Sequence, residues 1–470
     1  MGFDDVCIDS RTAGDGFLFA ALQGANTDGH KFVEKAFELG ACAALVDAKK
    51  VKTFALVDIA KKYNATLIAV DNTLRGLQDL AAFYLQKFPS MLRVGITGSC
   101  GKTTAKEIAA SIFRCVYGNN NVVCNAGNLN SETGLPLSVF KVRAEHKVGI
   151  FELGMNRMGE IAELAKVLKP QIACITNTGC AHIGCIGSRE KIALEKKSIF
   201  AEFTGNEIAI VPSPSHDEIG AEFTKLLGEN INGKTQYFGG DIFYNAGGVK
   251  TDNGLAGTEL SIPFISKDGT KTEITANFVL PGDHNFKNVL AAIEIAKAAN
   301  VSADAISKGV SSVKAMFGRC EVMNVKLISD LHKEGINCTV LRDCYNSNPE
   351  ALSEAIKLCD NIESGATKMH GKKIYVIGSM LELGDDSKSE HRVAGELLEN
   401  SDADFIFLYG EETDETKKML HKKEYFYTSD IEKLKSRFYE KISDGDLILL
   451  KGSRSCALER LLEGKVTSCF

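Results

Sequence analysis

At 470 residues, 44% apolar and 25% charged, the chain has the composition of an ordinary globular protein with room for roughly three domains. A net charge of −6 gives no basis for nucleic acid or an anionic membrane as partner, and no apolar run approaches the length of a membrane span. The N-terminal MGFDDVCIDSR lacks the basic-then-apolar order of an export signal, so a cytoplasmic location is expected. The fourteen cysteines are scattered, with no Cys-x-x-Cys pair, and sit mostly in apolar runs. They read as reduced, buried thiols rather than disulfides or a zinc site.

Residues 1–88 read as a small α/β unit. DGFLFAAL and ACAALVD predict strands with the amphipathic helix HKFVEKAFELG between them. ATLIAVDN predicts another strand, followed by a helix through LRGLQDLAAFYLQKF that Phe88-Pro89 breaks. Residues 89–314 alternate strand and helix, with KVGIFELG, QIACITNTG and NEIAIVP as short apolar runs, the pattern of a doubly wound parallel sheet. From 236 to 280 period-2 alternation and frequent turns predict a small antiparallel section. HNFKNVLAAIEIAKAAN then returns to helical spacing. Residues 315–470 form a third α/β block, with parallel strands at KKIYVIG, DFIFLYG and DLILLKGS.

The stretch RVGITGSCGKTTAKE, residues 93–107, carries the plainest chemistry. A buried strand runs into a turn through Gly98, Ser99, Cys100 and Gly101, and a helical pattern begins at Lys102, Thr103 and Thr104. Glycines let backbone N–H groups approach phosphate oxygens, and a helix N-terminus adds partial positive charge. Lys102 suits the outer phosphates of ATP, and the Thr103 hydroxyl suits Mg²⁺. The glycines at 95, 98 and 101 are spaced by two residues, unlike the strict P-loop. Cys100 lies beside a helix N-terminus, a position that lowers a thiol pKa. It is expected to be reactive, with alkylation blocking ATP binding.

Other candidates fit two roles each on their residue types. Glu152 ends the strand VGIFE, where it serves as a Mg²⁺ ligand or as a solvated loop acid. His182, beyond CITNTGCAH, is functional or structural. Lys196, in the charged helix REKIALEKKSIF, is a solvated lysine unless a depressed pKa lets its neutral amine add carbon dioxide. Asn285 and Asn288 share a helix face, suiting an adenine edge or helix packing. Asp343 follows an apolar strand, suiting ribose hydroxyls or a turn.

Together these segments resemble the Mur ligase family over nearly the whole chain, and within it the ligases that add D-alanyl-D-alanine to UDP-N-acetylmuramoyl-tripeptide. DSR at 9–11, TGSCGKTT, GNLNSETGLPL, ELGMNRMGEI, TNTGCAHIGCIGS, PGDHNFKNVLAA, FGRCE, DCYNSNPEAL, GSMLELG and LKGSRS stand in the family's order. YNSNP points to the dipeptide-adding branch. The resemblance implies three α/β domains: a UDP-binding domain (1–88), a P-loop ATPase-like doubly wound sheet (89–314) and a Rossmann-like domain (315–470). It implies ATP and two Mg²⁺ ions, one at Thr103 and Glu152, the other at His182 and a carbamylated Lys196. Asn285 and Asn288 would face adenine, Asp343 the ribose, and Arg319 the nucleotide. Ser10, Arg11, Asn128, Asn130 and, in YNSNP, Asn346 would meet the substrates.

The implied reaction passes through an acyl phosphate, with small molecules as the only partners and a monomer expected. Departures from the family pattern are Cys100, Ser198 where an acid is usual, Ser379 before MLELG, and VPSPSHD at 211–217. A sibling or folylpolyglutamate-type ligase with another acceptor, or a non-catalytic ATP-binding scaffold, are the other readings.

Overall fold

The apolar strand Leu92–Thr97 lies in the middle of a six-stranded sheet whose strands all run parallel. The order across it is Lys234–Phe238, Ile208–Pro212, Ile172–Ile175, Leu92–Thr97, Val148–Glu152 and Val122–Cys124. The chain leaves Leu92–Thr97, adds two strands on one side, and crosses to the other side at Ile172–Ile175. Ligands of open parallel sheets bind at the C-terminal strand ends where such a reversal occurs. The computed structural model describes residues 2–179, 181–214, 221–239, 245–251, 254–265, 269–362, 371–463 and 466–469.

Alternate side chains of these strands face two different cores. Val94, Ile96, Ile150, Ile172 and Ile210 pack under the helices Lys102–Tyr117 and Asp283–Ala298. Phe151, Ala173, Ile175, Ala209 and Val211 face the opposite way, towards Glu160–Leu168 and Arg189–Lys197. The expected antiparallel section is a three-stranded sheet, Asn245–Thr251, Gly254–Ile265 and Lys271–Phe278. Its Leu260, Ile262, Ile274 and Phe278 join the first of these cores. Residues 240–244, 252–253 and 266–268 of that stretch, and 215–217 of VPSPSHD, lie outside the described residues.

The N-terminal block is a parallel four-stranded sheet, Val6–Cys7, Leu18–Ala20, Ala43–Asp47 and Thr66–Val70. HKFVEKAFELG forms a 3₁₀ turn, Gly29–Phe32, before the helix Val33–Glu38. The helix Thr73–Leu85 buries Leu77, Ala81 and Leu85 in the core on the second face of the central sheet. The first block is thus fused to the second.

The last block is a seven-stranded sheet. Tyr425–Thr428, Phe405–Tyr409, Lys373–Gly378, Leu447–Lys451 and Ile336–Asp343 run parallel in that order. Glu321–Leu327 and then Val466–Cys469 extend it antiparallel. The cores on its two faces are drawn, among the described residues, from residues 320–462. Among the described residues no helix is long and apolar enough to cross a membrane.

The helix Ala303–Ser311 meets Lys102–Tyr117 backbone to backbone at Gly309, where a Cβ would overlap Ile112 Cα, and Ser111 Oγ donates to Gly309 O at 2.6 Å. Gly309→Ala forces the two helices apart and is expected to cost about 1–3 kcal/mol, the usual penalty of overpacking. Thermal unfolding checks this; an unchanged midpoint would refute the close approach.

Candidate active site

The turn after Leu92–Thr97 requires its two glycines. Gly98 and Gly101 have φ of 154° and 78°, and a Cβ on either would overlap the Thr176 hydroxyl or the Asn288 amide. Gly101 caps the helix that starts at Lys102. Lys102 Nζ donates to Gly98 O and Ser99 O at 2.8 and 3.2 Å, so the ammonium lies over the loop.

The loop is braced by the tip of the neighbouring strand. Asn177 Oδ1 accepts from the N–H groups of Ser99 and Cys100 at 3.1 and 2.9 Å, and Asn177 Nδ2 donates to Cys100 O at 3.0 Å. Thr176 Oγ1 donates to Cys100 O at 2.6 Å, and Ser99 Oγ to Gly179 O at 2.9 Å. Asn177 was not foreseen. It stands inside the quoted TNTG run, where a side-chain amide next to a phosphate loop is the available signal.

Thr103 Oγ1 donates to Glu152 Oε2, and Asn130 Nδ2 donates to Glu152 Oε1, both at 2.7 Å. Glu152 is 3% exposed. Buried Asn125 holds its backbone in both directions, accepting from Glu152 N and donating to Glu152 O at 3.0 Å. A hydroxyl and a fixed carboxylate at the mouth of a phosphate loop are the hard oxygen donors that Mg²⁺ takes.

Lys196 is 1% exposed, and its hydrogen-bond partner among the described residues is Met155 Sδ, 3.8 Å away. Burial, reinforced by the charge of Lys102, pushes its pKa well down. A neutral amine is the form that adds carbon dioxide, so the donor fits a carbamate. The adjacent Glu195 faces elsewhere, capping Glu160–Leu168 through Gly159 N and Ile161 N at 2.7 and 2.8 Å. His182, with φ of 67°, sits beyond the strand tip with Nδ1 3.0 Å from Glu382 Oε2 of the last block. Among the described residues no three His, Cys, Asp or Glu side chains form a metal cluster.

The third block closes the cleft, about 570 Å³ in volume. Asp343 accepts from Cys320 N at 3.1 Å and pairs with Lys451 Nζ at 3.2 Å. Lys451, also 1% exposed, donates to Asn346 O at 2.5 Å. Arg319 lies over the Tyr345 ring, 4.2 Å from its centroid. On the opposite wall Asn285 Nδ2 donates to Pro281 O at 2.6 Å, and the Asn288 amide is 3.5 Å from Asn285. Gly184 and Gly384 meet so closely that neither has room for a Cβ. Lys451 went unassigned although LKGSRS was quoted; a lysine ending an apolar strand beside Asp343 was its signal.

The cleft gathers Ser99 to Thr104, Asn128, Asn130, Glu152, His182, Asn285, Asn288, Arg319, Asp343 and Asn346. Gly98 lies just behind it, beneath Lys102. Ser10 and Arg11 are not among its lining residues. Arg11 is paired with Asp9 at 2.6 Å on the first block's surface, 86% exposed.

Three family descriptions match in order: "Mur ligase family, catalytic domain" at 3–85, "Mur ligase middle domain" at 96–296, and "Mur ligase, glutamate ligase domain" at 318–454. The UDP-N-acetylmuramoyl-tripeptide–D-alanyl-D-alanine ligase of Treponema pallidum (strain Nichols) is 40% identical over 98% of this chain and 93% of its own. The chain belongs to the Mur ligase family. Its relative of that name in Bacillus subtilis (strain 168) is 30% identical over the same shares. Among solved Mur ligases, MurF from Acinetobacter baumannii superposes with a TM-score of 0.78 at 27% identity, over 97% of this chain and 92% of its own. MurF from Thermotoga maritima in complex with ADP gives 0.77 at 26%, over 98% and 96%.

The expectation of an activated Cys100 is corrected. Its sulfur accepts from Asn348 Nδ2 of the third block at 3.0 Å, and burial pushes the thiol above its ordinary range. Desolvation outweighs the helix terminus. Iodoacetamide at neutral pH is expected to label exposed Cys115 first and Cys100 late, with the Cys100 rate rising only in alkaline buffer. Peptide mass spectrometry resolves the two sites, and fast neutral labelling of Cys100 would contradict the burial argument.

Proposed function

We propose that this protein is the ATP-dependent ligase that joins D-alanyl-D-alanine to UDP-N-acetylmuramoyl-tripeptide in peptidoglycan precursor synthesis. The observation that carries the reading is the Thr103–Glu152 pair at the mouth of a braced phosphate loop, in a chain 40% identical over nearly its full length to a ligase of that name. The amide bond needs an activated carboxyl group. The tripeptide's terminal carboxylate attacks the γ-phosphate of ATP, giving an acyl phosphate and ADP, and the dipeptide amine then displaces phosphate.

The first step brings two anions together, so positioning and charge compensation dominate it. Lys102 moves from the Gly98 and Ser99 carbonyls to the outer phosphates. Asn130 and Asn125 keep the Glu152 carboxylate aimed at Thr103. Thr103 with Glu152, and His182 with a carbamylated Lys196, would hold Mg²⁺ ions, which would supply charge compensation to the transferring phosphoryl group. Asn285 and Asn288 take the adenine, Asp343 the ribose and Arg319 the nucleotide. Asn128, Asn130 and Asn346 meet the substrates in the cleft, and Ser10 and Arg11 the uridine end. Closure of the third block keeps water from the acyl phosphate.

Phosphate release from ATP is expected only when UDP-N-acetylmuramoyl-tripeptide and D-alanyl-D-alanine are both present. Release with a single amino acid would move the activity to a sibling ligase. ¹³C-bicarbonate is expected to give a carbamate resonance that Lys196→Arg abolishes; a spectrum unchanged by that substitution would remove Lys196 from the metal site.

A further inference from the structure

Arg189 begins the helix Arg189–Lys197 of the central block, and Glu350 sits in the first turn of Pro349–Asp360 in the third. Arg189 Nη2 donates to Glu350 Oε1 at 2.8 Å, with the side chains 24% and 29% exposed. Both line the cleft. An ion pair withdrawn this far from water adds little net stability, because desolvation offsets most of the attraction. Its place in the cleft calls for another explanation.

Glu350 stands close to the phosphate loop. A Cβ on Gly179 would lie 3.2 Å from its carboxyl carbon, and Gly179 O accepts the Ser99 hydroxyl at 2.9 Å. Two residues earlier Asn348 touches Cys100 within the loop. The carboxylate therefore adjoins the space where the acyl phosphate forms. A fixed negative charge there repels ATP and the tripeptide, both anions. A cation and an anion side by side on the wall instead match a zwitterion.

We propose that Arg189 and Glu350 are the acceptor site, with the guanidinium taking the dipeptide's terminal carboxylate and Glu350 its ammonium group. The proposal rests on the ligase reading above. Binding exchanges one protein ion pair for two protein–ligand pairs, so neither charge is left buried alone. Glu350 then has a chemical task. It accepts one proton from the ammonium, the freed nitrogen lone pair forms the C–N bond to the acyl carbon, and the C–O bond to phosphate breaks with its electrons on the departing phosphate. The second nitrogen proton leaves with that phosphate. Because the pair joins two blocks, the acceptor also draws together the walls it sits between.

The test uses the full-length protein with D-alanyl-D-alanine and its C-terminal amide as rival acceptors, and hydroxylamine to trap the acyl phosphate without either. Arg189→Ala is expected to raise KM for the dipeptide about ten- to hundred-fold, as for loss of a charge-assisted contact. It should leave KM for the amide and for ATP within about two-fold of the parent, the range of a contact not made. Arg189→Lys, which keeps the charge without the fork, should fall between and guards against a folding defect. Glu350→Gln is expected to lower kcat for the dipeptide while tripeptide-dependent hydroxamate formation persists. Equal losses with both acceptors in Arg189→Ala, or trapping in Glu350→Gln that falls in parallel with ligation, would overturn the assignment. No hydroxamate from the unaltered protein would instead overturn the ligase reading itself.

Discussion

Two backbone N–H groups of the phosphate loop, those of Ser99 and Cys100, converge on one side-chain oxygen, Asn177 Oδ1. That convergence is possible only because the strand bearing Asn177 is hydrogen-bonded directly to the strand bearing the loop. The loop's glycines then have no freedom to spare: Gly98 is pressed against Thr176 and Gly101 against Asn288. From this fixed turn the helix at Lys102 takes its direction, Thr103 meets Glu152, and the helix carrying Asn285 and Asn288 takes its distance. An anion-binding loop made of backbone dipoles works only if those dipoles are held before the anion arrives.

Several charges of the cleft are held by a neighbour from another part of the chain. Glu152 is held by Thr103 and Asn130, Lys451 by Asp343, Arg189 by Glu350, and Glu382 stands at His182. Lys196, outside that lining, differs: its hydrogen-bond partner among the described residues is a thioether. Burying an ammonium in such surroundings is costly, and losing the proton relieves the cost. Burial favours the neutral form of both Lys196 and Cys100, the amine by lowering its pKa and the thiol by raising it.

Much of this was legible in the residues. The strand, glycine turn and helix at 93–107 and the carboxylate ending Val148–Glu152 follow from apolar runs and glycine placement. The antiparallel strands within 245–278 follow from period-2 alternation, although 236–238, expected with them, end a parallel strand of the central sheet. What stayed hidden depends on contacts between distant segments. Asn177, Asn125 and Lys451 look like turn or strand-end residues until the sheets are assembled. Cys100 was misjudged because its local position names a helix terminus, whereas the lid of Asn348 comes from 248 residues away. Local sequence reports which dipoles are near; it does not report which neighbour excludes water.

The three blocks are not joined alike. Side chains of the first block and of the central sheet's second face form one continuous core, whereas among the described residues the third block's cores contain none before 320. Exchanging the first 88 residues with those of a relative would cut through shared packing and require compensating changes on both sides. Exchanging the third block would leave that shared core intact but disturb the Gly184–Gly384 approach and the Arg189–Glu350 pair. Because the Arg189–Glu350 pair spans the central and third blocks, a transplanted third block would carry only half of the proposed acceptor site with it.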